Sequence, residues 1–362
     1  MINVGNHRLH FTIWKGTGIP ILFESGSGND ATIWHPFMEP IQKITGTTLI
    51  TYDRTGYGKS ELNPTLPDNK KSLITHSIAD LQNALQQLGY DQEIMLVSHS
   101  FGALFNINFA NQNPEKVKSM VFIDGAISCF KTPEYLEKKR AERTEAWLVH
   151  IKSLSEGLYY ECLAYEEIVD IMSTMEAPTT IPIISLYSEK SPPNEPNEQE
   201  RWATCQKELV QAAPNRIGIQ GLECGHYVHY DNPMLAVQSI AKAYCLARPN
   251  ADNQAILQRS LDYGIARSNT NRQEEFAYWH SERDLNNWGY DFLKKEELNK
   301  ALVVLQLNTL LFPESFNTWD SYGEILLKMG KKEEAIKMYQ KSLKLNPDNE
   351  NGQKVLETLL KK

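Results

Sequence analysis

The sequence predicts an α/β domain with a mainly parallel sheet, followed by an all-α repeat domain. Three observations lead to this prediction. Short apolar runs alternate with helix patterns over residues 20–125, which favours right-handed crossover units. The apolar run at residues 94–97 leads through a tight turn at Ser100 into a helix pattern. From about residue 285, small and aromatic residues recur at a spacing of 34, a period typical of stacked helix pairs.

Composition narrows the class of protein. The 362 residues fit two domains, on a prior of roughly 100–200 residues each. The chain carries a net charge of −8, and its sequence does not indicate a concentrated basic face. We therefore expect no nucleic-acid partner. We find no apolar window approaching the roughly 18 residues of a membrane span. The first residues lack the basic start and apolar core of a signal peptide, which predicts a cytoplasmic location.

The cysteines are odd in number and have no CxxC spacing. We therefore predict reduced thiols in a cytoplasmic protein, with no disulfide framework and no metal site. We also expect no cofactor. The five residues are Cys129, Cys162, Cys205, Cys224 and Cys245.

The first strands are predicted from their alternation and apolar content. Residues 8–14 alternate as a half-buried strand does, and residues 20–23 suit an interior strand. The two runs are close enough in sequence to form an antiparallel edge. Further strands are expected at 48–52 and 117–123, and a helix over 77–88 ends at Gly89.

Residues 130–176 interrupt this rhythm with charged, aromatic-rich helix patterns. We predict helices at 134–148, 159–162 and 166–175. Strands resume at 181–187 and 216–220, with helices at 201–212 and 233–245. The insert has no strand pattern. It contains the aromatic residues Tyr135, Trp147, Tyr159, Tyr160 and Tyr165, which favours a lid over an apolar pocket rather than extra core.

The turn at Ser100 has the context of a nucleophile elbow. Such a turn strains the backbone of its central serine, so the residues two before and two after it must be small. Ser98 and Gly102 meet that requirement, although glycine is usual at the first position. A serine that merely caps a helix is the alternative.

Several segments in order resemble the α/β-hydrolase superfamily: the loop at residues 24–28, the turn at 53–60, the elbow, and the loop Cys224–Tyr227. The resemblance covers about residues 5–247. It implies a hydrolase domain over 1–247 with a helical cap at about 127–179. A helical connector over 248–284 and repeats over 285–362 would follow.

The resemblance also implies a catalytic triad. Ser100 is the nucleophile, and the base is expected after the last strand, where His226 is favoured over its rival His229. The orienting acid is either Asp124, after the strand at 117–123, or Glu189, after the strand beyond the lid. A serine nucleophile excludes haloalkane dehalogenases and epoxide hydrolases of this fold, which use an aspartate.

The oxyanion hole is assigned by the same resemblance to the backbone N–H groups of Phe101 and Ser27. Gly26 and Gly28 flank Ser27 and would let these N–H groups face a ligand without Cβ obstruction. A phosphate-binding loop is the weaker alternative, because the third glycine and a P-loop lysine are missing.

The C-terminal period resembles two tetratricopeptide repeats. The resemblance implies either a groove for a protein partner or for self-association, or an extension that only stabilises the hydrolase domain. Pairs of equivalent residues are Gly289 and Gly323, Ala301 and Ala335, and Pro313 and Pro347.

Together these features predict a serine hydrolase that cleaves a small-molecule ester, or less readily an amide, through an acyl-enzyme. An aminopeptidase-like enzyme and a carbon–carbon bond hydrolase are alternatives within the enzyme class. A non-catalytic scaffold that acts through its repeats is the alternative outside it.

Overall fold

The computed structural model describes residues 1–66, 73–130, 132–191, 196–221, 224–251, 253–270 and 282–360. The chain forms two compact units, Met1–Ile256 and Leu257–Lys362. The predicted domain limits at 247 and 284 stay predictions. Part of the predicted connector, residues 252 and 271–281, lies outside the described residues, as do residues 131, 192–195 and 222–223.

The first unit contains nine described strands. They are β1 Ile2–Asn3, β2 Arg8–Leu9, β3 Phe11–Trp14, β4 Ile21–Glu24, β5 Leu49–Tyr52, β6 Ile94–His99, β7 Val117–Ile123, β8 Ile183–Ser188 and β9 Arg216–Gly221.

The described α-helices are numbered in chain order across both units. They are α1 His35–Thr45, α2 Leu73–Leu88, α3 Gly102–Gln112, α4 Pro133–Glu142, α5 Glu145–Leu154, α6 Glu156–Leu163, α7 Tyr165–Thr174, α8 Pro196–Gln211, α9 Val228–Asp231, α10 Pro233–Leu246, α11 Gln254–Thr270, α12 Glu282–Lys294, α13 Leu298–Leu311, α14 Phe316–Lys328, α15 Lys332–Leu345 and α16 Glu350–Leu360.

A seven-stranded sheet organises the first unit, in the order β3-β5-β4-β6-β7-β8-β9. All its pairs are parallel except β3 with β5. The interior strands β4, β5, β6 and β8 are buried along their whole length, as their continuous apolar runs require. Because these strands are parallel, their carboxyl ends meet at one edge.

The predicted pairing of the first two strands is wrong. Strand β3 pairs with β5, with Ile13 opposite Ile50, and not with β4. Strand β4 already has a parallel neighbour on each side, β5 and β6, so it offers no open edge. The predicted strand 8–14 is also divided, since Arg8 and Leu9 pair with β1.

The lid contains four helices, α4 to α7, where the sequence predicted three. The predicted helix over 134–148 divides between α4 and α5, because the Thr144 side chain accepts a hydrogen bond from the N–H of Trp147 and caps α5. Ser155 caps α6 in the same way. Each cap satisfies backbone donors that a helix start leaves unpaired.

The prediction that all cysteines are reduced is wrong for one pair. Cys129 and Cys205 form a disulfide across a sequence separation of 76, while Cys162, Cys224 and Cys245 are thiols. The two bonded residues lie in elements that meet only after folding, a short 3-10 helix after β7 and helix α8. The disulfide removes the cysteine argument for a cytoplasmic location, which stays a prediction.

The second unit packs its helices in pairs, with close approaches at equivalent positions. A Cβ at Gly289 would lie 2.5 Å from the Leu305 side chain, and one at Gly323 would lie 3.0 Å from Tyr339. Leu305 and Tyr339 are themselves 34 residues apart. Ala301 and Ala335 are fully buried. The 34-residue period therefore reflects a repeated helix-pair contact.

Within the described part of the chain, no helix combines the length and the apolar character that crossing a membrane requires.

Candidate active site

The turn after β6 holds Ser100 in a strained conformation. Its φ angle is 52°, in the left-handed region that side chains other than glycine rarely adopt. The close approach of the neighbouring loop explains the small residue two positions later. A Cβ at Gly102 would lie 2.7 Å from the carbonyl oxygen of Ser25 and 2.8 Å from that of Glu24. This geometry is that of a nucleophile elbow.

His226 lies next to Ser100 in the loop between β9 and α9. Its Nε2 is 2.8 Å from the Ser100 Oγ, and its Nδ1 is 2.6 Å from Oδ2 of Asp124. The loop is held by the Gly225 N–H, which donates to Asp231 at 2.7 Å. The structure therefore joins a hydroxyl, an imidazole and a carboxylate in one hydrogen-bonded chain.

Asp124 follows β7 and is fully buried. Its Oδ1 accepts three hydrogen bonds, from the backbone N–H of Ser188 at 2.8 Å, the Ser188 hydroxyl at 2.8 Å and the indole N–H of Trp202 at 2.7 Å. Its φ angle of 48° is also left-handed, and such strain concentrates at functional sites. We call Asp124, Ser188, Trp202 and His226 the Asp124 centre.

The alternative residues occupy other positions. Both ring nitrogens of His226 have close partners, Nδ1 at Asp124 and Nε2 at Ser100, so Asp124 occupies the position for which Glu189 was the second candidate. His229 is fully buried and stacks on Trp34, with its ring edge against Phe37. Burial, with a smaller contribution from the neighbouring His226, lowers the pKa of His229 to about 3. His229 is therefore a neutral core histidine at physiological pH.

His99 supports the loop that carries His226. Its Nε2 lies 3.0 Å from the carbonyl oxygen of His226, and its ring is 4.8 Å from the His226 ring. Burial is the main cause that lowers the pKa of His99 well below its ordinary value. As a neutral imidazole with Nε2 protonated, it can donate to that carbonyl.

The loop after β4 lies directly over Ser100. A Cβ at Gly26 would lie 3.2 Å from the Ser100 Cβ and 2.8 Å from His99 Nδ1. Two N–H groups of the loop are already bonded, that of Gly28 to the Tyr57 hydroxyl at 3.2 Å and that of Asn29 to the Gly26 carbonyl at 3.3 Å. The predicted oxyanion donors, the N–H groups of Ser27 and Phe101, stay predictions.

A buried ion cluster holds this loop from behind. The Arg54 guanidinium lies 2.5 Å from Glu24 and 2.7 Å from Glu161. It also donates to the carbonyl oxygens of Ser25 at 2.6 Å and Gly26 at 3.0 Å. All three ionisable side chains are almost completely buried. We call Glu24, Arg54 and Glu161 the Arg54 centre.

The Arg54 centre connects the lid to the loop, because Glu161 belongs to lid helix α6. Its second oxygen accepts a hydrogen bond from the Ser27 hydroxyl at 2.7 Å. The N–H of Gly157, on the same helix, donates to the Gly56 carbonyl at 3.0 Å. Lid helix α6 is therefore docked on the loop that faces Ser100.

The side chains of the Arg54 centre shift one another's pKa values. Burial opposes the charge of Arg54, but Glu161 and Glu24 together hold its pKa well above the ordinary value. Burial raises the pKa of Glu24, and the Arg54 guanidinium and the Tyr52 hydroxyl offset part of that rise. The guanidinium also lies over the Phe105 ring at 4.9 Å.

Sequence reasoning missed Trp202, Ser188 and Glu161. Arg54 lies inside the turn at 53–60, but the sequence does not indicate its role. An isolated glutamate in an aromatic-rich lid segment was the one signal that could have pointed to Glu161. Trp202 and Ser188 carry no signal, because their partner Asp124 is 78 and 64 residues away.

One group among the described residues brings three metal-ligating atoms within 4.8 Å of each other, from Cys129, Cys205 and Glu208. The two sulfur atoms are joined in the disulfide. Since thiolates are the sulfur ligands of metals, the bonded pair does not supply them.

Comparison with known families gives two matches. A model of the alpha/beta hydrolase fold matches residues 19–152, and a tetratricopeptide-repeat model matches residues 323–349. A solved structure from work on carboxylesterases of Nitrososphaera gargenis superposes with a TM-score of 0.53 at 15% identity. It covers 67% of this chain and 96% of that chain.

Two curated relatives cover different shares of the chain. An uncharacterized protein of Bacillus subtilis (strain 168) is 25% identical over 238 residues, which is 64% of this chain and 87% of that protein. A haloalkane dehalogenase of Agrobacterium fabrum is 26% identical over 137 residues, which is 35% of this chain and 41% of that enzyme.

Proposed function

We propose that this chain, a hydrolase of the α/β-hydrolase superfamily with a C-terminal tetratricopeptide-repeat region, cleaves small esters through an acyl-enzyme on Ser100. The observation that carries the proposal is the hydrogen-bonded chain from the Ser100 hydroxyl through His226 to Asp124. Each member has the contact that its role requires.

In the proposed first half-reaction, His226 Nε2 accepts the hydroxyl proton while the Ser100 Oγ attacks the ester carbonyl. The imidazolium that forms lies against the Asp124 carboxylate, which stabilises its charge and keeps Nδ1 protonated. His226 then gives its proton to the departing alcohol. A water molecule activated by the same histidine releases the acid in the second half-reaction.

The carbonyl oxygen becomes an oxyanion during both steps. We propose that the N–H groups of Ser27 and Phe101 bind it, because Ser27 lies in the loop over Ser100 and Phe101 directly precedes helix α3. Removing one such donor costs on the order of 3 kcal/mol of transition-state stabilisation. The Arg54 centre supports this assignment by fixing the loop through two of its carbonyl oxygens.

Ester cleavage is proposed ahead of amide cleavage because an ester carbonyl is less stabilised by resonance than an amide carbonyl, and an alkoxide is a better leaving group than an amide anion. The dehalogenase relative does not extend its activity to this chain. A halide on carbon is displaced by a carboxylate nucleophile, and the elbow of this chain presents the hydroxyl of Ser100. The repeats are proposed to bind a protein partner or a second copy of the chain, since every residue of the site lies in the first unit.

A serine-directed fluorophosphonate probe tests the proposal on the full chain. We expect labelling of the wild type and none of Ser100→Ala. Ser153→Ala is the matched control, since this lid hydroxyl donates to the carbonyl of His150 and its loss should leave labelling intact. Equal labelling of wild type and Ser100→Ala, or none of either, would overturn the mechanism.

A panel of esters and aminoacyl amides of graded length then separates the enzyme classes. Hydrolysis of short esters with little turnover of amides is expected. Preferential turnover of aminoacyl amides would replace the esterase proposal with the aminopeptidase-like alternative.

A further inference from the structure

We infer that Trp202 is a positioning residue for hydrolysis, whose indole N–H fixes the Asp124 carboxylate in the orientation that His226 needs. The inference rests on the proposed function and extends it to a residue outside the triad. Trp202 lies on helix α8 and belongs to none of the motifs that carry the family resemblance.

The carboxylate of Asp124 is held asymmetrically. Its Oδ1 receives three donors, and its Oδ2 faces His226 at 2.6 Å. Two of the donors come from Ser188 at the end of β8, and the third comes from Trp202 on a separate element. A carboxylate tied at one oxygen from two directions cannot rotate about its Cβ–Cγ bond without breaking at least one hydrogen bond. The other oxygen therefore stays aimed at the imidazole.

The indole itself is held firmly. Trp202 is only 6% exposed, and its ring packs edge to face against Phe130 at 4.9 Å. The disulfide ties the same two segments together, since Cys129 precedes Phe130 and Cys205 lies one helical turn after Trp202. The indole therefore has little freedom to leave the carboxylate.

A purely structural role for Trp202 predicts a different result. As core packing, the ring would matter and its N–H would not. A hydrogen bond to a charged acceptor is stronger than a neutral one, and a donor removed from a buried carboxylate makes that carboxylate more basic. The protonated form of His226 is then held more strongly, so the acidic limb of the kcat/KM profile moves to higher pH.

The groups that surround the His226 imidazole bear on this shift. The rings of His99 and Tyr227 lie close to the His226 ring, at 4.8 Å and 5.7 Å. His99 is neutral because its pKa is lowered, and the same holds for His229 behind it. Asp124 is the charged group hydrogen-bonded to the imidazole, while the nearby Asp231 carboxylate accepts from the backbone N–H of Gly225 in the same loop. Trp202 acts on the Asp124 charge.

The experiment measures kcat/KM for a p-nitrophenyl ester between about pH 5 and pH 9, with full-length wild type and Trp202→Phe. We expect kcat/KM to fall about tenfold, corresponding to one hydrogen bond to a charged group, with the acidic limb displaced upward. Ser188→Ala removes another donor to the same oxygen and should displace the limb in the same direction.

Phe130→Leu is the matched control, because it disturbs packing on Trp202 but leaves the indole donor in place. It should lower the melting temperature without moving the limb. If Trp202→Phe does not fold, replacement of Trp202 by benzothienylalanine, which keeps the shape and lacks the N–H, serves in its place.

The outcomes separate the two proposals. An unchanged rate and an unchanged limb in the variant lacking the N–H overturn the inference, while wild-type hydrolysis still stands. The inference is also overturned if Phe130→Leu moves the acidic limb as far as Trp202→Phe does. A wild type that neither hydrolyses esters nor reacts with the phosphonate probe overturns the proposed function, and the inference with it.

Discussion

The Asp124 centre and the Arg54 centre both lie buried at the carboxyl edge of the sheet, but they hold charge in opposite ways. Asp124 is a single carboxylate surrounded by neutral donors and one histidine. Arg54 is a single cation between two carboxylates, with two further bonds to backbone carbonyls. The three charged groups of the Arg54 centre bind one another. The Asp124 centre, in contrast, contacts the Ser100 hydroxyl through His226.

The difference shows what each centre can do. Dipoles stabilise a charge without neutralising it, so the surroundings of Asp124 suit a carboxylate that stabilises the imidazolium of the proposed proton transfer. Opposite full charges neutralise one another and fix geometry. The Arg54 centre thus joins the lid, the loop over Ser100 and the end of β4, while the Asp124 centre serves the proposed chemistry.

The largest expected effect comes from replacing the acid. Asp124→Asn should lower kcat by about 10⁴-fold, because an amide N–H facing Nδ1 favours the wrong tautomer of His226. Ester hydrolysis at about pH 7.5 measures it. Glu189→Gln, at the other position considered for the acid, should leave kcat unchanged. A loss in Glu189→Gln comparable to that in Asp124→Asn would contradict the assignment.

The second effect is on stability. Arg54→Met leaves Glu24 and Glu161 buried without their cation, and should lower the free energy of unfolding by about 3–5 kcal/mol. Urea denaturation at about pH 7 provides the measurement. Arg140→Met is the control, since Arg140 pairs with Glu166 at the surface, and its unfolding curve should nearly match wild type. Equal losses in both variants would refute the contrast between the two pairs.

The smallest effect is a dependence on pH. The pKa of Glu24 is raised, chiefly by burial. Between the unfolded and the folded pKa, Glu24 therefore stays protonated in the folded protein and is ionised in the unfolded chain. Stability from this group is full below the unfolded value of 4.5 and is lost as pH rises through the folded pKa. The melting temperature of Glu24→Gln, relative to wild type, should therefore increase with pH.

Glu39→Gln should behave in the opposite way. The hydrogen bond and charge of Lys43 lower the pKa of Glu39, so its contribution is present above 4.5 and is lost on acidification. The relative melting temperature of this variant should fall as pH rises from about 3 to 7. Slopes of the same sign in both variants would show that burial does not govern Glu24.

Part of the candidate site was predictable because local sequence determines it. Ser100 lies in a turn whose small neighbours are required by the close approach of the preceding loop. His226 follows the last strand of a parallel sheet, where side chains from successive strands meet. The repeat period was equally readable, because each helix pair repeats the same contact.

Other features depend on distant partners. Asp124 and Glu189 were both acceptable acids in the sequence, and only the packing of β7 beside β8 brings Asp124 to His226. The predicted partner of β3 was wrong for a similar reason, since proximity along the chain does not decide which strand has an open edge. The prediction that Cys129 and Cys205 are reduced was also wrong, because the two residues are 76 positions apart in sequence and meet only in the folded protein.

The sequence by itself therefore determined the fold class, the elbow at Ser100 and the repeat region, because each depends on spacing within one element or between adjacent ones. Only the tertiary structure decided which carboxylate faces His226, that Trp202 bonds to that carboxylate, and that Glu161 ties the lid to the loop over Ser100. These contacts join residues 64 to 134 positions apart. Hydrogen bonds and ion pairs act over a few ångströms and leave no periodic trace in a sequence, so folding alone reveals them.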